Sequence, residues 1–538
     1  MTARRAAGAA LFFAVLTVVL TWPQARRIGA AAVAHQDVYF NMWRLEWVAH
    51  ALATNPRHLF DANVFSPEPR TLTYSDAMLV EGVLAAPLVY ARVPPVLVHN
   101  LLLLGAIAAS GLGMFTLVRY LTGSAAAALV AGVMFSFAPY RVEHVMHMEL
   151  QWAMWMPWAF WALHRTLDTG DVRFGVATGA LVALQMLSCI YYGIFLATLL
   201  PAAGALLFLG DRRSAAWRAA RALGAGAIVA AIVCAAYALP YVRTRAQVGD
   251  RPADELSRYS ARPSNYLIAT PDNRVYGGRV AQRSVPERRL FPGLLAVTLA
   301  LAGLFARRAP ARQIVYLLAL AAAFDLSLGP GGYTFSFLSD HVPIFRSLRS
   351  LARAAIFVLM FLAVLAGYGY AAIVDGRPRA ARAAIFAAVL AGLVVEYAVR
   401  PLDLIPYPNT PPALYSFLAT QPRGVVAEFP VPQASALPGP DPAYAYGSTF
   451  HWFPLVNGYS GFYPPSYIDR LDRLAGFPDA RALAQLRRDN VRYVIVHAAG
   501  TPPDAFAARV DAVTSTGAFS ELGRFADGQG EAVVFRMR

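Results

Sequence analysis

The segment His35-Gln36-Asp37-Val38-Tyr39-Phe40-Asn41-Met42-Trp43-Arg44 follows directly on the first long apolar run, 6–22. Asp37 therefore falls just past the end of a first spanning helix, at the start of a loop rich in polar and aromatic residues. A carboxylate at that depth meets water, an apolar wall and lipid headgroups together. Working outward, runs of spanning length, about 20 mostly apolar residues each, recur at 6–23, 96–118, 124–139, 150–164, 174–190, 191–209, 222–240, 290–306, 312–328, 351–374 and 380–399. The fold class that follows is a polytopic α-helical membrane protein with about 11 transmembrane helices.

Composition agrees. Of 538 residues, 57% are hydrophobic and 15% charged, against about 25% charged in a soluble domain; mean hydropathy is +0.45. The net charge of +15 is carried entirely by Arg, with no Lys. Those Arg residues are dispersed rather than gathered into one stripe, which excludes nucleic acid as a partner. Cys189 and Cys234 both lie in apolar runs and read as small buried hydrophobes, not as a disulfide or a metal site.

Arg4 and Arg5, the apolar run and Ala32-Val33-Ala34 imitate a cleavable signal peptide. Arg26 and Arg27 interrupt the path to that site, so the first helix is expected to be retained. A cytoplasmic N-terminus puts Arg4 and Arg5, Arg119, Arg165 and Arg173, Arg212, Arg213, Arg218 and Arg221, Arg307, Arg308 and Arg312, and Arg377, Arg379 and Arg382 on the inner side, as the positive-inside rule requires. The C-terminus is then outside, and the expected location is a bacterial inner membrane.

Four pieces lie outside in this topology. The first external loop, 24–95, carries two helical patterns, near 38–53 and 77–91, whose modest length and apolar faces suit helices lying along the interface. The others are the turn 139–147, the Arg/Pro-rich loop 241–289 and the segment 329–350. After a Pro-rich linker at 401–410 the character changes. Val425-Val426-Ala427-Glu428-Phe429, Val491-Arg492-Tyr493-Val494-Ile495-Val496 and Ala532-Val533-Val534-Phe535 read as buried strands, and 467–488 as an amphipathic helix. The expected organisation is a transmembrane domain over 1–400 and an extracytoplasmic α/β domain over 401–538.

Carboxylates avoid this environment unless paired or working. Asp37 has Asn41 and Arg44 at helical spacing; it reads as a general base and, equally, as the N-cap of the first interfacial helix. Asp76 reads as a second cap. Glu81, in an otherwise apolar helix, reads as an Arg partner or a substrate contact. Glu143, His144 and His147 form the next group. If that turn continues as a helix, Glu143 and His147 share a face, and with Asp37 they have the chemistry of a divalent-metal site; contact with sugar hydroxyls or phosphate is the preferred reading. Arg346, Arg349 and Arg353, three and four apart at a helix end, read as a fork for phosphate or as headgroup-snorkelling side chains. Trp152, Trp155, Trp158 and Trp161 make an aromatic stripe suited to packing and interfacial anchoring. Gly329-Pro330-Gly331-Gly332 lacks the Lys-Ser/Thr ending of a Walker loop.

These features together resemble the GT-C superfamily of integral-membrane glycosyltransferases, in particular bacterial relatives of protein mannosyltransferases. The residues that carry the resemblance are Asp37 after the first helix, Phe40-Asn41-Met42-Trp43-Arg44-Leu45-Glu46-Trp47 and the two helices of the first loop. Ser136-Phe137-Ala138-Pro139-Tyr140-Arg141-Val142-Glu143-His144, Trp155-Met156-Pro157, Tyr191-Tyr192-Gly193 and Pro343-Ile344-Phe345-Arg346-Ser347-Leu348-Arg349-Ser350-Leu351-Ala352-Arg353 add to it. The resemblance implies a GT-C-like layout over 1–400, a polyprenyl-phosphate-linked sugar as donor and Asp37 as catalytic base. Many relatives carry a paired acid at this position, where this chain has Gln36-Asp37-Val38.

The expected function is glycosyl transfer of the hexosyltransferase type, from a polyprenyl-phosphate sugar to an envelope glycan, lipid or protein acceptor. Arg346, Arg349 and Arg353 would hold the donor phosphate. Glu143, His144, His147 and Glu81 would contact sugar, phosphate or metal. Tyr446, His451, Trp452 and Tyr459 would select the acceptor. The rival expectation is a lipid-linked saccharide transporter or a non-catalytic envelope-assembly protein.

Overall fold

The computed structural model describes residues 3–210, 216–249, 253–280, 285–306, 308–498, 500–527 and 530–538. Arg212, Arg213 and Arg307 of the expected inner-side set lie outside them. The chain is mostly helical. Among the described residues six helices are long and apolar enough to cross a membrane: Pro95–Thr122, Ala125–Glu143, Ile190–Leu209, Trp217–Ala246, Leu351–Ile373 and Arg379–Tyr397. They fall on six of the eleven expected segments. Of the others, 150–164 and 290–306 become the 15-residue helix Trp155–Thr169 and the 12-residue helix Leu294–Phe305, and 174–190 the 17-residue helix Val172–Ser188. The remaining two are the 18-residue helices Ala3–Leu20 and Pro310–Ser327.

Contacts divide the chain into two compact units, and the division is not linear in sequence. The first comprises Met1–Arg27, Leu101–Ala238 and Gly249–Asp403. At its centre is Leu351–Ile373, 83% buried, whereas Trp217–Ala246 and Arg379–Tyr397 are only 17% buried and present apolar surface outward. Small residues set the helix spacing. A Cβ on Gly369 would come within 1.9 Å of the Leu299 carbonyl oxygen, and one on Gly179 within 1.8 Å of that of Gly226. Backbone-to-backbone approach of this kind is how apolar helices pack where no hydrophobic driving force separates them from lipid.

The second unit gathers Ile28–Asn100, Leu239–Val248 and Leu404–Arg538, so the first loop clusters with the C-terminal region. Strand β1 (Ala31–Val33) pairs antiparallel with β2 (Leu404–Pro406), Ala31 opposite Pro406. Gln36–Thr54 and Leu79–Tyr90 form the two helices expected near 38–53 and 77–91. They pack closely: a Cβ on Gly82 would lie 2.5 Å from the Val48 side chain.

A four-stranded sheet follows, in the order β3 (Val425–Phe429), β4 (Val491–His497), β6 (Gly530–Met537), β5 (Phe519–Asp527). β3 and β4 are parallel and the other pairs antiparallel. The expected 467–488 helix is instead two, Pro465–Leu474 and Ala480–Arg488. Pro478 cannot continue a helix, and Asp479 restarts one by accepting the Ala482 N–H at 2.7 Å. Val494, Val496, Val533, Phe535, Leu486 and Val510 fill the core beneath the sheet.

Candidate functional site

Asp37 sits in the first turn of Gln36–Thr54, its side chain only 11% exposed. The cap of that helix is His35, not Asp37. The His35 Nδ1 accepts the Asp37 backbone N–H at 3.1 Å, which leaves the Asp37 carboxylate out of the capping role. Its Oδ1 accepts the hydroxyl of Tyr459, and its Oδ2 lies 3.6 Å from His35 Nδ1. Burial and the neighbouring carboxylate push the Tyr459 phenol up, so it remains a donor across the physiological range.

The rest of this helix face follows the expected spacing. The Arg44 NH2 donates to Asn41 Oδ1 at 2.5 Å and its NH1 to the Asp76 carbonyl at 2.8 Å, while the guanidinium lies 4.3 Å from the centre of the Phe40 ring. Phe40 in turn meets Tyr459 edge-on at 5.0 Å. Asp76 is not a cap: Leu79–Tyr90 begins after Met78, in the left-handed region at φ 51°, with no side-chain cap. Glu81 is fully buried in the first turn of that helix.

In the other unit, the helix Pro139–Glu143 stops at Glu143 and a turn follows, so Glu143 and His147 do not share a helical face. The cause is Gln151, whose amide donates to the carbonyls of Arg141 and His144 at 3.0 and 2.9 Å and folds the chain back. Glu143 is paired with Arg289 at 2.5 Å. His144 is 1% exposed, and among the described residues neither of its ring nitrogens has a hydrogen-bond partner. Burial holds its imidazole well below the usual range, with His147, Arg353 and Arg289 adding to the effect. Among the described residues no group of three His, Cys, Asp or Glu is placed to hold a metal ion.

Arg346, Arg349 and Arg353 do not share one helix face either. Pro343–Ser347 and Leu351–Ala354 are short 3-10 turns separated by extended backbone at Leu348. Arg346 is exposed and donates to the Ser339 carbonyl at 2.8 Å. Arg349 and Arg353 converge instead on Tyr191. The Arg349 N–H donates to its hydroxyl at 3.0 Å, and the Arg353 guanidinium lies 4.9 Å from its ring centre. The Arg349 side chain also pairs with Glu255 at 3.3 Å.

Of the four residues expected to select an acceptor, Tyr446 is buried and donates to the Pro408 carbonyl at 2.5 Å. His451 is buried, accepts the Phe453 N–H at 3.0 Å, and is pushed down to about 3 by burial. Trp452, at φ 57°, is half-buried and stacks on His50 at 4.1 Å. Tyr459 is the Asp37 partner.

Sequence reasoning missed a second polar cluster, buried beside the sheet. Glu428 accepts the Tyr415 hydroxyl at 2.9 Å and lies 2.7 Å from His497 Nε2. Asp441 accepts from Asn457 at 3.0 Å and from the Tyr467 hydroxyl. Two carboxylates inside a domain are the sequence signal that was available, because such groups are almost never fully buried without partners.

No protein-family model matches the chain, and no curated protein does. Among solved structures it is similar to the cryo-EM structure of arabinofuranosyltransferase AftD from Mycobacteria, with a TM-score of 0.65 and 15% identity, over 100% of this chain and 40% of that one. The chain thus spans two-fifths of the length of AftD. Crystal structures of ArnT from Cupriavidus metallidurans, in the apo state and bound to undecaprenyl phosphate, align at a TM-score of 0.44 and 13% identity, over 99% and 98% of this chain and 98% of theirs. At these identities the likeness to AftD is one of fold.

Proposed function

We propose that this chain, which has the fold of the GT-C membrane glycosyltransferases, is itself a glycosyltransferase. It moves a sugar from a polyprenyl-phosphate donor to an envelope glycan, lipid or protein acceptor on the extracytoplasmic face of a bacterial inner membrane. The observation that carries this reading is Asp37: a nearly buried carboxylate, in the first loop after the first apolar helix, that accepts the hydroxyl of Tyr459.

In the proposed step Asp37 takes the proton of the acceptor hydroxyl as that oxygen attacks the anomeric carbon. The bond from the anomeric carbon to phosphate breaks, and its electron pair leaves on the prenyl phosphate, which needs no proton to depart. The configuration inverts once. Arg349 and Arg353 would offset the charge growing on the phosphate. Arg346, turned to a carbonyl of its own loop, would have a lesser part. His144, neutral and buried, would hydrogen-bond the sugar or phosphate. Trp452, the half-buried member of the acceptor set besides Tyr459, would be its stacking surface, whereas Tyr446 and His451 would serve the local structure.

The test is transfer from a panel of short-chain prenyl-phosphate pentoses and hexoses by the full chain in lipid nanodiscs. Asp37→Asn is expected to abolish transfer with expression and thermal stability unchanged. Full activity in that variant would remove Asp37 from the chemistry.

A further inference from the structure

A carboxylate shut in among aromatic rings is costly unless something bonds it. Glu46 is such a group. It lies in the middle of Gln36–Thr54, partly exposed, and no described residue hydrogen-bonds or ion-pairs with it. Burial alone pushes its carboxyl up to about 7. Four residues on, and so on the same helix face, is His50. The His50 ring lies flat on the Trp452 indole, 4.1 Å between centres and 14° between planes. Trp47 leans on both rings, at 5.8 and 5.9 Å. Burial and the charge of Arg423 push the His50 imidazole down, so it is neutral at physiological pH.

Trp452 is displayed by a turn built for the purpose. Its backbone is in the left-handed region at φ 57°, which a bulky side chain rarely adopts and which collects at functional positions. The turn is held from both ends. The Trp452 N–H donates to the Ser448 carbonyl at 2.7 Å, and His451 Nδ1 accepts the Phe453 N–H at 3.0 Å. The Asn63 amide donates to Ser448 Oγ at 2.9 Å and to the Phe453 carbonyl at 3.2 Å. The ring is thus fixed in place while remaining partly exposed.

We propose that Glu46, His50 and Trp452 form a saccharide-binding subsite, which holds sugar units of a glycan acceptor other than the one that reacts. This rests on the glycosyltransferase reading above and narrows its acceptor to a glycan. Glu46 is about half a turn round the helix from Asp37 and about 14 Å along it, so one sugar cannot occupy both places. The chemistry selects the ligand. A flat, rigid aromatic pair offers a stacking surface. A neutral imidazole has one donor and one acceptor, and a carboxyl poised between its two forms can accept or donate; sugar hydroxyls do both. An anionic headgroup would be repelled by Glu46 when ionised. A basic peptide would meet the charge of Arg423, which already reaches His50 and His451.

The test is saturation-transfer NMR on the full chain in nanodiscs of neutral lipid, without donor. The probes are neutral linear hexasaccharides of pentose and of hexose units, with hexalysine as the rival. At least one hexasaccharide is expected to bind. Glu46→Gln, which keeps the shape and removes the charge, is expected to weaken it about tenfold. Trp452→Gly, which removes the ring and relieves the backbone, is expected to do the same. Unfolding midpoints of both variants are the folding control. Binding by no hexasaccharide, equal binding in both variants, or binding of hexalysine alone overturns the proposal. Because this readout needs no transfer, it is decided separately from the Asp37→Asn assay: saccharide binding lost in both variants stands even if that assay removes Asp37 from the chemistry.

Discussion

The Nε2 of His497 lies 2.7 Å from Oε2 of Glu428, both side chains almost wholly enclosed between β3 and β4 and the helices beside them. They come from the parallel strand pair β3 and β4, 69 residues apart in sequence. Tyr415 donates to the same carboxylate oxygen, and Tyr444 stacks on the imidazole at 4.9 Å. Removing one member of a buried pair strands the other without solvent. His497→Ala is therefore expected to destabilise the protein by about 3–5 kcal/mol. Thermal unfolding in detergent, followed by tryptophan fluorescence, checks it; a loss below about 1 kcal/mol would place the pair among the weak surface kind.

Asp441 predicts a pH dependence. Burial pushes its carboxyl up to about 7, against the pull of Tyr467, Asn457 and the Gly458 backbone. The folded state then holds a proton that the unfolded chain, with an ordinary carboxyl near about 4, has already released. Unfolding free energy should fall as pH rises between those two values and level off above the upper one. The drop is on the order of 4 kcal/mol. Asp441→Asn, which resembles the protonated form, should flatten that part of the curve. Unfolding midpoints at a series of pH values from mildly acidic to neutral would show the same slope in both proteins if Asp441 were not its source.

Arg346, Arg349 and Arg353 should not behave as equals. Arg353 is buried against the Tyr191 ring, and Arg349 is tied to the hydroxyl of the same tyrosine, whereas Arg346 is exposed on its own loop. If the pair meets the leaving phosphate, Arg353→Ala should cost about 100-fold in kcat/KM. Arg346→Ala should cost less than about threefold, as an exposed charge does. Transfer assays on both variants, with unfolding midpoints as the folding control, decide it. Equal losses would restore the fork that the bare spacing of the three Arg residues suggests.

Apolar length disclosed Pro95–Thr122 and Leu351–Ile373 because a span is a local property of composition. Alternation disclosed β3 and β4 for the same reason. The spacing of the three Arg residues suggests a shared face only on a regular helix, and the extended backbone at Leu348 removes that premise. Asp37 was visible as a carboxylate in an unusual place, but its partner lies 422 residues away. Nothing local in Tyr459 distinguishes it from the tyrosines around it; only the fold that pairs β1 with β2, and so brings the first loop beside the C-terminal region, makes it a partner. The Asp441 and Glu428 cluster was hidden likewise, since each partner comes from a different segment.

Gly458 has no side chain to lose, so a substitution there tests the backbone that carries Tyr459. A Cβ there would fall 2.6 Å from three atoms of the Phe65 ring, and Phe65 is itself fully buried and held by the Asn457 carbonyl. The ring cannot retreat without breaking its contacts with Tyr74 and Tyr467, at 5.5 and 4.9 Å. Gly458→Ala should therefore cost about 1–3 kcal/mol by overpacking. If the segment 457–459 also fixes the phenol, transfer should fall further than Phe65→Leu makes it fall, because that second variant opens space under Gly458 without pushing on it. The double variant Gly458→Ala with Phe65→Leu should recover both stability and transfer relative to Gly458→Ala alone. Thermal unfolding and transfer on the three proteins measure this, and additive losses in the double variant would show that the two residues do not meet as described.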